Sequence, residues 1–244
     1  MSQSDQTLSI APLTNVGLCL SAMERVMDRT LGLPGIVEFH GPSGYGKSTA
    51  AAHLLTRLRA YYVAVQSNWT RKYFLEAILR EMGIVPARTL PAMVAQAAEQ
   101  LALSGRPLIV DEADHMVSKE GGANLIKDIY ESAEPTIMLI GEELLPAKIE
   151  RWERLAGRVL EWVPAQPVNI SDARLLLRIY APGVTIADDL LKLLVEKARG
   201  SVRRVIVNLD AIRAEAQKMG WTSVDRAAWG ERPIYTGQAP ATRR

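Results

Sequence analysis

Cysteine is nearly absent from this chain: Cys19 stands alone among 244 residues. An intramolecular disulfide is therefore excluded, and so is a zinc site built on cysteines. Long apolar runs are missing as well, so no segment reaches the length of a membrane span. The opening residues, Met1-Ser2-Gln3-Ser4-Asp5-Gln6, are polar and lack the apolar stretch of a secretion signal. A reducing cytoplasm is the expected setting, and the sequon at Asn68-Trp69-Thr70 then has no use. A strong charge of one sign is also lacking. With 29 Lys and Arg against 27 Asp and Glu the net charge is +2, too small by itself to argue for nucleic acid. No internal repeat and no low-complexity block is visible. What the chain does have is apolar mass: 48% hydrophobic residues suffice for a core of one large domain, or a medium one with a small companion.

The strongest local pattern is Gly41-Pro42-Ser43-Gly44-Tyr45-Gly46-Lys47-Ser48. It fits the phosphate-binding loop G-x-x-x-x-G-K-[ST] at every fixed position. Ile36-Val37-Glu38-Phe39-His40 before it reads as a buried strand, and Thr49 to Arg59 after it as a helix. Strand, glycine turn and helix N-terminus make an anion cradle of inward-facing N–H groups. ATP with Mg²⁺ is the expected ligand. Residues 41–49 line it, Lys47 reaches the β- and γ-phosphates, and the Ser48 hydroxyl ligates the metal.

Leu108-Ile109-Val110-Asp111-Glu112 is an apolar strand ending in two carboxylates. Two acids there are costly without a metal or a water to serve. Asp111 is assigned to the hydrated Mg²⁺ and Glu112 to polarising the attacking water. The plainer reading, acids that cap the next helix, competes with this. Thr136 to Ile140 forms a further strand with Gly141-Glu142-Glu143 at its end, where parallel sheets meet ligands. A residue here could sense the γ-phosphate, and the anionic Glu142 is an odd choice for it.

Residues 146–155 read as one helix, with Arg151, Arg154 and, on extension, Arg158 on one side. That side is either a solvated basic face or an arginine offered to a neighbouring subunit's ATP. After the strand 159–163 the pattern is purely helical, over 171–180, 187–198 and 201–218. The expected organisation is an N-terminal arm at 1–13, an α/β nucleotide-binding domain at 14–167, a helical lid at 168–220 and a tail at 221–244, disordered or a partner-binding strap. Arg203, near the start of the last lid helix, either leans onto the γ-phosphate or is simply exposed.

Asp111-Glu112-Ala113-Asp114 spells the "DEAD" box of helicases, but those need two tandem α/β domains and this chain has room for one. The fuller resemblance is to the AAA+ ATPases, over roughly residues 14–218. It rests on the phosphate loop, the strand 108–112, the arginine segment 151–158 and Gly200-Ser201-Val202-Arg203. The resemblance implies a five-stranded parallel sheet, with the strand ending at Gly141 between the phosphate-loop strand and the Asp111 strand. It implies a sensor role for Arg203 and an arginine finger at Arg154 or Arg158. This chain departs from the family in offering Glu142 at the first sensor position, which fits slow hydrolysis used as a switch.

Within that family, Leu-Ile-Val-Asp-Glu-Ala-Asp-His (108–115) and Met-Leu-Ile-Gly-Glu-Glu-Leu-Leu (138–145) resemble the target-selecting ATPases of transposons, of the type of transposition protein B of Mu-like phages. That resemblance implies ATP-dependent oligomers, often helical filaments on non-specific duplex DNA in a bacterial host cell, which mark a target and stimulate the transposase. About a dozen residues precede the first helix, so a separate N-terminal DNA-binding module is expected to be absent. The candidate DNA contacts are then Thr70, Arg71 and Lys72 after the second strand, and Lys119 after the acidic strand. The alternative is an ATPase that assembles or remodels a protein complex, of secretion or replication-loading type, without touching DNA.

Overall fold

The computed structural model describes residues 12–238. These residues fall into two compact units: one holds 15–42 and 47–165, the other Thr14, Ser43–Gly46 and the chain from Gln166 onward. The arm expected at 1–13 lies outside the described residues but for its last two.

The larger unit contains, in order, α1 (Thr14–Met27, all but its first residue), β1 (Ile36–His40), α2 (Lys47–Leu58), β2 (Tyr61–Ala64), α3 (Arg71–Glu81), α4 (Leu90–Ser104), β3 (Leu108–Asp111), α5 (Asp114–Val117), α6 (Glu120–Ala133), β4 (Ile137–Gly141), α7 (Leu145–Glu150), α8 (Glu153–Ala156) and β5 (Val159–Pro164). The strands form a five-stranded sheet in the order β2-β3-β4-β1-β5, with every pairing parallel. Strands of a parallel sheet are covered on both faces, so they read as continuous apolar runs. β3 and β4 are buried at every position, and β1 everywhere except His40. The helices start and stop where the chemistry predicts. Thr70 and Thr89 accept N–H groups at the first turns of α3 and α4, and Gly105 ends α4 at φ 62°.

β4 lies between β1 and β3, as expected from the extra-strand arrangement. The ends of three strands thus come side by side: His40 on β1, Gly141 on β4 and Asp111 on β3. That is the edge at which open parallel sheets receive ligands. The expectation of an α/β fold with a five-stranded parallel sheet followed by helices is met.

One helix is corrected. The segment 146–155 is not a single helix but α7 and α8, broken at Trp152 (φ −112°, ψ 77°). The Trp152 indole N–H donates to the Val117 carbonyl at 2.7 Å, which holds the chain off the helical path. Arg151, Arg154 and Arg158 therefore share no helix face: Arg151 caps α7, Arg154 lies in α8, and Arg158 sits in the turn before β5.

The smaller unit contains α9 (Ile170–Tyr180), β6 (Thr185–Ile186), α10 (Asp188–Ala198), α11 (Val202–Met219), β7 (Ser223–Val224) and α12 (Arg226–Trp229). Asn169 and Asp172 close a capping box on α9, and Leu176, Leu190, Leu194, Val205, Leu209 and Ile212 build the core. The tail, expected to be disordered or a partner-binding strap, is folded into the smaller unit over 221–238. β7 pairs in parallel with β6, the Arg232 guanidinium lies 4.9 Å from the Trp221 ring, and Tyr235 exchanges two backbone hydrogen bonds with the buried Asn208 side chain. Polar spacing hid this because the burial comes from single residues, Val224 and Trp229, rather than from a periodic face.

Candidate nucleotide site and basic cleft

Lys47 opens α2 at the C-terminal edge of the sheet. Its ammonium donates to the carbonyls of Gly41 at 2.5 Å and Pro42 at 3.0 Å. Burial lowers its pKa, while the carboxylates of Glu112, Asp111, Glu142 and Asp114 pull the other way. Ser48 follows in the same turn, and Thr49 is half-buried behind it. At the tip of the loop, Gly44 (φ 87°) and Gly46 (φ 85°) occupy the left-handed region, which glycine adopts without steric cost. Within the smaller unit the Gly44 carbonyl accepts the Arg203 N–H at 3.4 Å, and the Tyr45 hydroxyl lies 3.5 Å from the Arg199 carbonyl. The Arg203 side chain is exposed and forms no ion pair with any described residue.

Asp111 is 5% exposed at the end of β3. Its Oδ2 lies 3.5 Å from Ser48 Oγ and accepts the Tyr62 hydroxyl at 2.9 Å, while its Oδ1 accepts the Glu112 N–H at 2.9 Å. Glu112 has φ 53°, a left-handed conformation uncommon outside glycine, at the turn where the chain leaves the sheet. Its carboxyl titrates above the ordinary range, through burial first and then through the charges of Asp111 and Glu142. A carboxylate raised in this way is better matched to taking a proton near neutral pH.

Glu142 follows β4, and its N–H donates to Asp114 Oδ2 at 2.7 Å. Asp114 Oδ1 accepts Lys148 Nζ at 2.7 Å. Within β1, Glu38 is fully buried. Its Oε2 is 2.8 Å from His40 Nδ1, and its Oε1 has no hydrogen-bond partner among the described residues. Burial, then the charge of Asp114, pushes the Glu38 carboxyl up to about 9, so it is neutral at pH 7.

The second feature is a cleft of 610 Å³, lined among others by Trp69, Thr70, Arg71, His115 and Lys119. Two loops distant in sequence meet here: a Cβ at Gly121 would lie 3.2 Å from the Arg71 side chain, and a Cβ at Gly122 would overlap the Met116 carbonyl, so glycine lets α6 turn back closely on α5. Arg71 and Lys119 form no ion pair with a described residue, whereas Lys72 lies outside the cleft, 3.8 Å from Glu76. Of the arginine-finger candidates, Arg158 is bound to Glu131 at 2.9 Å, while Arg154 is exposed in α8 and forms no ion pair with a described residue.

The structure thus brings Lys47, Ser48, Asp111 and Glu112 to one sheet edge, and Thr70, Arg71 and Lys119 to one cleft. Sequence reasoning missed Tyr62, Asp114, Lys148 and Glu38. Asp114 carried a signal as the last letter of the Asp-Glu-Ala-Asp run. Tyr62 carried none, since its partner lies 49 residues away.

Among the described residues no helix is long and apolar enough to cross a membrane. No protein of curated function matches the sequence. Residues 31–149 match the family model described as AAA domain. Among solved structures, the Aeropyrum pernix ORC1 protein in complex with DNA aligns with a TM-score of 0.64 at 18% identity, over 88% of this chain and 63% of that one. Domain III of the Thermotoga maritima replication initiation protein DnaA aligns at 0.57 and 16% identity, over 88% of each chain. Cdc6p from Pyrobaculum aerophilum aligns at 0.59 and 16%, over 85% of this chain and 62% of that one. The chain therefore spans less than two thirds of the ORC1 and Cdc6p chains. At these identities the likeness is one of fold, an α/β domain on a five-stranded parallel sheet consistent with a P-loop AAA+ domain.

Proposed function

We propose that this protein is an ATP-dependent DNA-binding regulator of DNA transposition. In this reading it oligomerises on duplex DNA, selects the target and stimulates the transposase. The observation that carries the nucleotide half is the meeting of Lys47, Ser48 and Asp111 at the end of the sheet, with Ser48 Oγ 3.5 Å from Asp111 Oδ2. Among the described residues no three His, Cys, Asp or Glu side chains gather to hold a metal alone. A hydroxyl and one carboxylate suit Mg²⁺, which takes hard oxygen ligands and completes its shell from water and phosphate. When bound with ATP, Mg²⁺ neutralises phosphate charge. Ser48 and Asp111 are the residues that would hold it, Lys47 the cation for the β- and γ-phosphates, and Glu112 the base that orients water. Arg203 is the candidate cis sensor. Arg154 is the favoured finger for a neighbouring subunit, because Arg158 must first leave Glu131. Hydrolysis is read as a slow switch, since the anionic Glu142 stands at the end of β4.

The DNA half is supported by the cleft in which Thr70, Arg71 and Lys119 come together, its Arg71 and Lys119 forming no ion pair with a described residue. Each contact with phosphate is weak, and an oligomer that repeats the cleft along DNA adds many of them. The likeness to ORC1 in complex with DNA agrees with this reading at the level of fold. The transposition role rests on the resemblance of segments 108–115 and 138–145. The test is electron microscopy of Glu112→Gln on duplex DNA with ATP–Mg²⁺. This variant is expected to bind ATP, fail to turn it over and accumulate as long-lived assemblies on DNA. Assemblies that form equally without ATP, or none under any nucleotide, contradict the reading, and the second outcome favours an ATPase acting on protein partners. The transposase link is tested by strand-transfer stimulation with the transposase of the element that encodes this chain.

A further inference from the structure

Asp111 has both carboxylate oxygens engaged before any ligand arrives. The Glu112 N–H holds Oδ1 at 2.9 Å, and the Tyr62 hydroxyl holds Oδ2 at 2.9 Å. The second bond comes from the neighbouring strand. β2 and β3 run in parallel with Ala64 opposite Asp111 and Tyr62 opposite Ile109, so the phenol two residues back reaches forward to the strand end. Two donors on opposite oxygens fix the plane of the carboxylate, and turning it breaks both bonds. Ser48 Oγ lies on the same side as the phenol, 3.5 Å from Oδ2.

We infer that Tyr62 is a positioning residue that holds the Asp111 carboxylate in the orientation that receives the hydrated Mg²⁺ of a bound nucleotide. This deepens the nucleotide reading and rests on it. Groups that hydrogen-bond a metal's ligand set its direction and basicity, and their loss typically costs about tenfold or more in metal affinity. A merely structural role, in which the bond only satisfies a half-buried phenol, predicts a different outcome, and Tyr61 supplies the contrast. Tyr61 is the next residue on the same strand, so its side chain lies on the opposite face, where its hydroxyl accepts from Gln100 at 2.9 Å.

The experiment uses the full chain and a fluorescent ATP analogue. Binding is followed across a Mg²⁺ titration and in EDTA for the unmodified protein, Tyr62→Phe and Tyr61→Phe. Tyr62→Phe removes one oxygen and leaves the ring in place, so the fold survives. It is expected to raise the Mg²⁺ midpoint about tenfold while leaving affinity in EDTA unchanged. Tyr61→Phe is expected to keep the unmodified midpoint. A Tyr62→Phe midpoint equal to that of the unmodified protein overturns the inference while the nucleotide reading stands. Failure of the unmodified protein to bind the analogue overturns the nucleotide reading itself, and the inference with it.

Discussion

Asp114 Oδ2 accepts the backbone N–H of Glu142 at 2.7 Å. The same carboxylate holds Lys148 through Oδ1, so one buried acid ties the turn after β3 both to the end of β4 and to α7. A side chain at Gly141 would overlap Asp114 Oδ2, which shows how closely the strand end is drawn in. Asp114 is 4% exposed, so its carboxylate relies on these partners rather than on water.

Asp114→Ala leaves a backbone N–H and an ammonium without their acceptor, and is expected to cost roughly 2–4 kcal/mol of stability. Asp114→Asn keeps an acceptor for the Glu142 N–H but turns its amide NH2 toward Lys148, losing that hydrogen bond and the charge, so its cost is expected to be smaller than that of Asp114→Ala yet measurable. Urea unfolding of both variants checks this. Equal stability of Asp114→Ala and the unmodified protein contradicts the assignment.

Glu38 gives a pH dependence whose sign follows from its environment. Its carboxyl rises from 4.5 to about 9 on folding, so between those values the folded state holds a proton that the unfolded state has lost. Stability contributed by this group therefore falls as pH rises through that window, by up to about 1.4 kcal/mol per pH unit. The groups around it are His40, whose own pKa is lowered by burial and then by Lys47, and Asp114. Glu38→Gln mimics the neutral acid and is expected to be the more stable protein above pH 5, with a flatter profile. Thermal unfolding from pH 5 to 8 reads this, and parallel curves for the two proteins contradict it.

The basic cleft predicts a salt effect. Each cation that neutralises a DNA phosphate contributes about −0.9 to the slope of log K against log salt. Arg71→Ala with Lys119→Ala is expected to weaken duplex binding and to flatten that slope by about two per protomer. Lys72→Ala alone is expected to do less, because Lys72 lies outside the cleft and near Glu76. An unchanged slope for the double variant places the DNA surface elsewhere.

How much of this was legible in the sequence depends on distance along the chain. The phosphate loop and the acidic strand were plain, because a glycine turn between strand and helix and an apolar run ending in acids are local patterns. Thr70, Arg71 and Lys119 were candidate DNA contacts on two separate loops, and only the fold, with Gly121 against the Arg71 side chain, brings them into one cleft. The arginine face over 151–158 was misread because a hydrogen bond from Trp152 to Val117, 35 residues away, outweighs a helical pattern of under three turns. The ordered tail was invisible for the same reason: its anchors, Asn208 to Tyr235 and Arg232 to Trp221, are single long-range contacts. Nothing in the run Ile36–His40 singles out Glu38, and only its burial marks it as a neutral acid.

The central claim is a DNA affinity switched by nucleotide. It is tested most directly by fluorescence anisotropy of a non-specific duplex titrated with protein, with and without ATP–Mg²⁺, at two salt concentrations, beside Lys47→Ala. The account predicts tight, salt-sensitive binding that requires both ATP–Mg²⁺ and Lys47. Binding that ignores nucleotide and survives Lys47→Ala, or no binding under any condition, contradicts it.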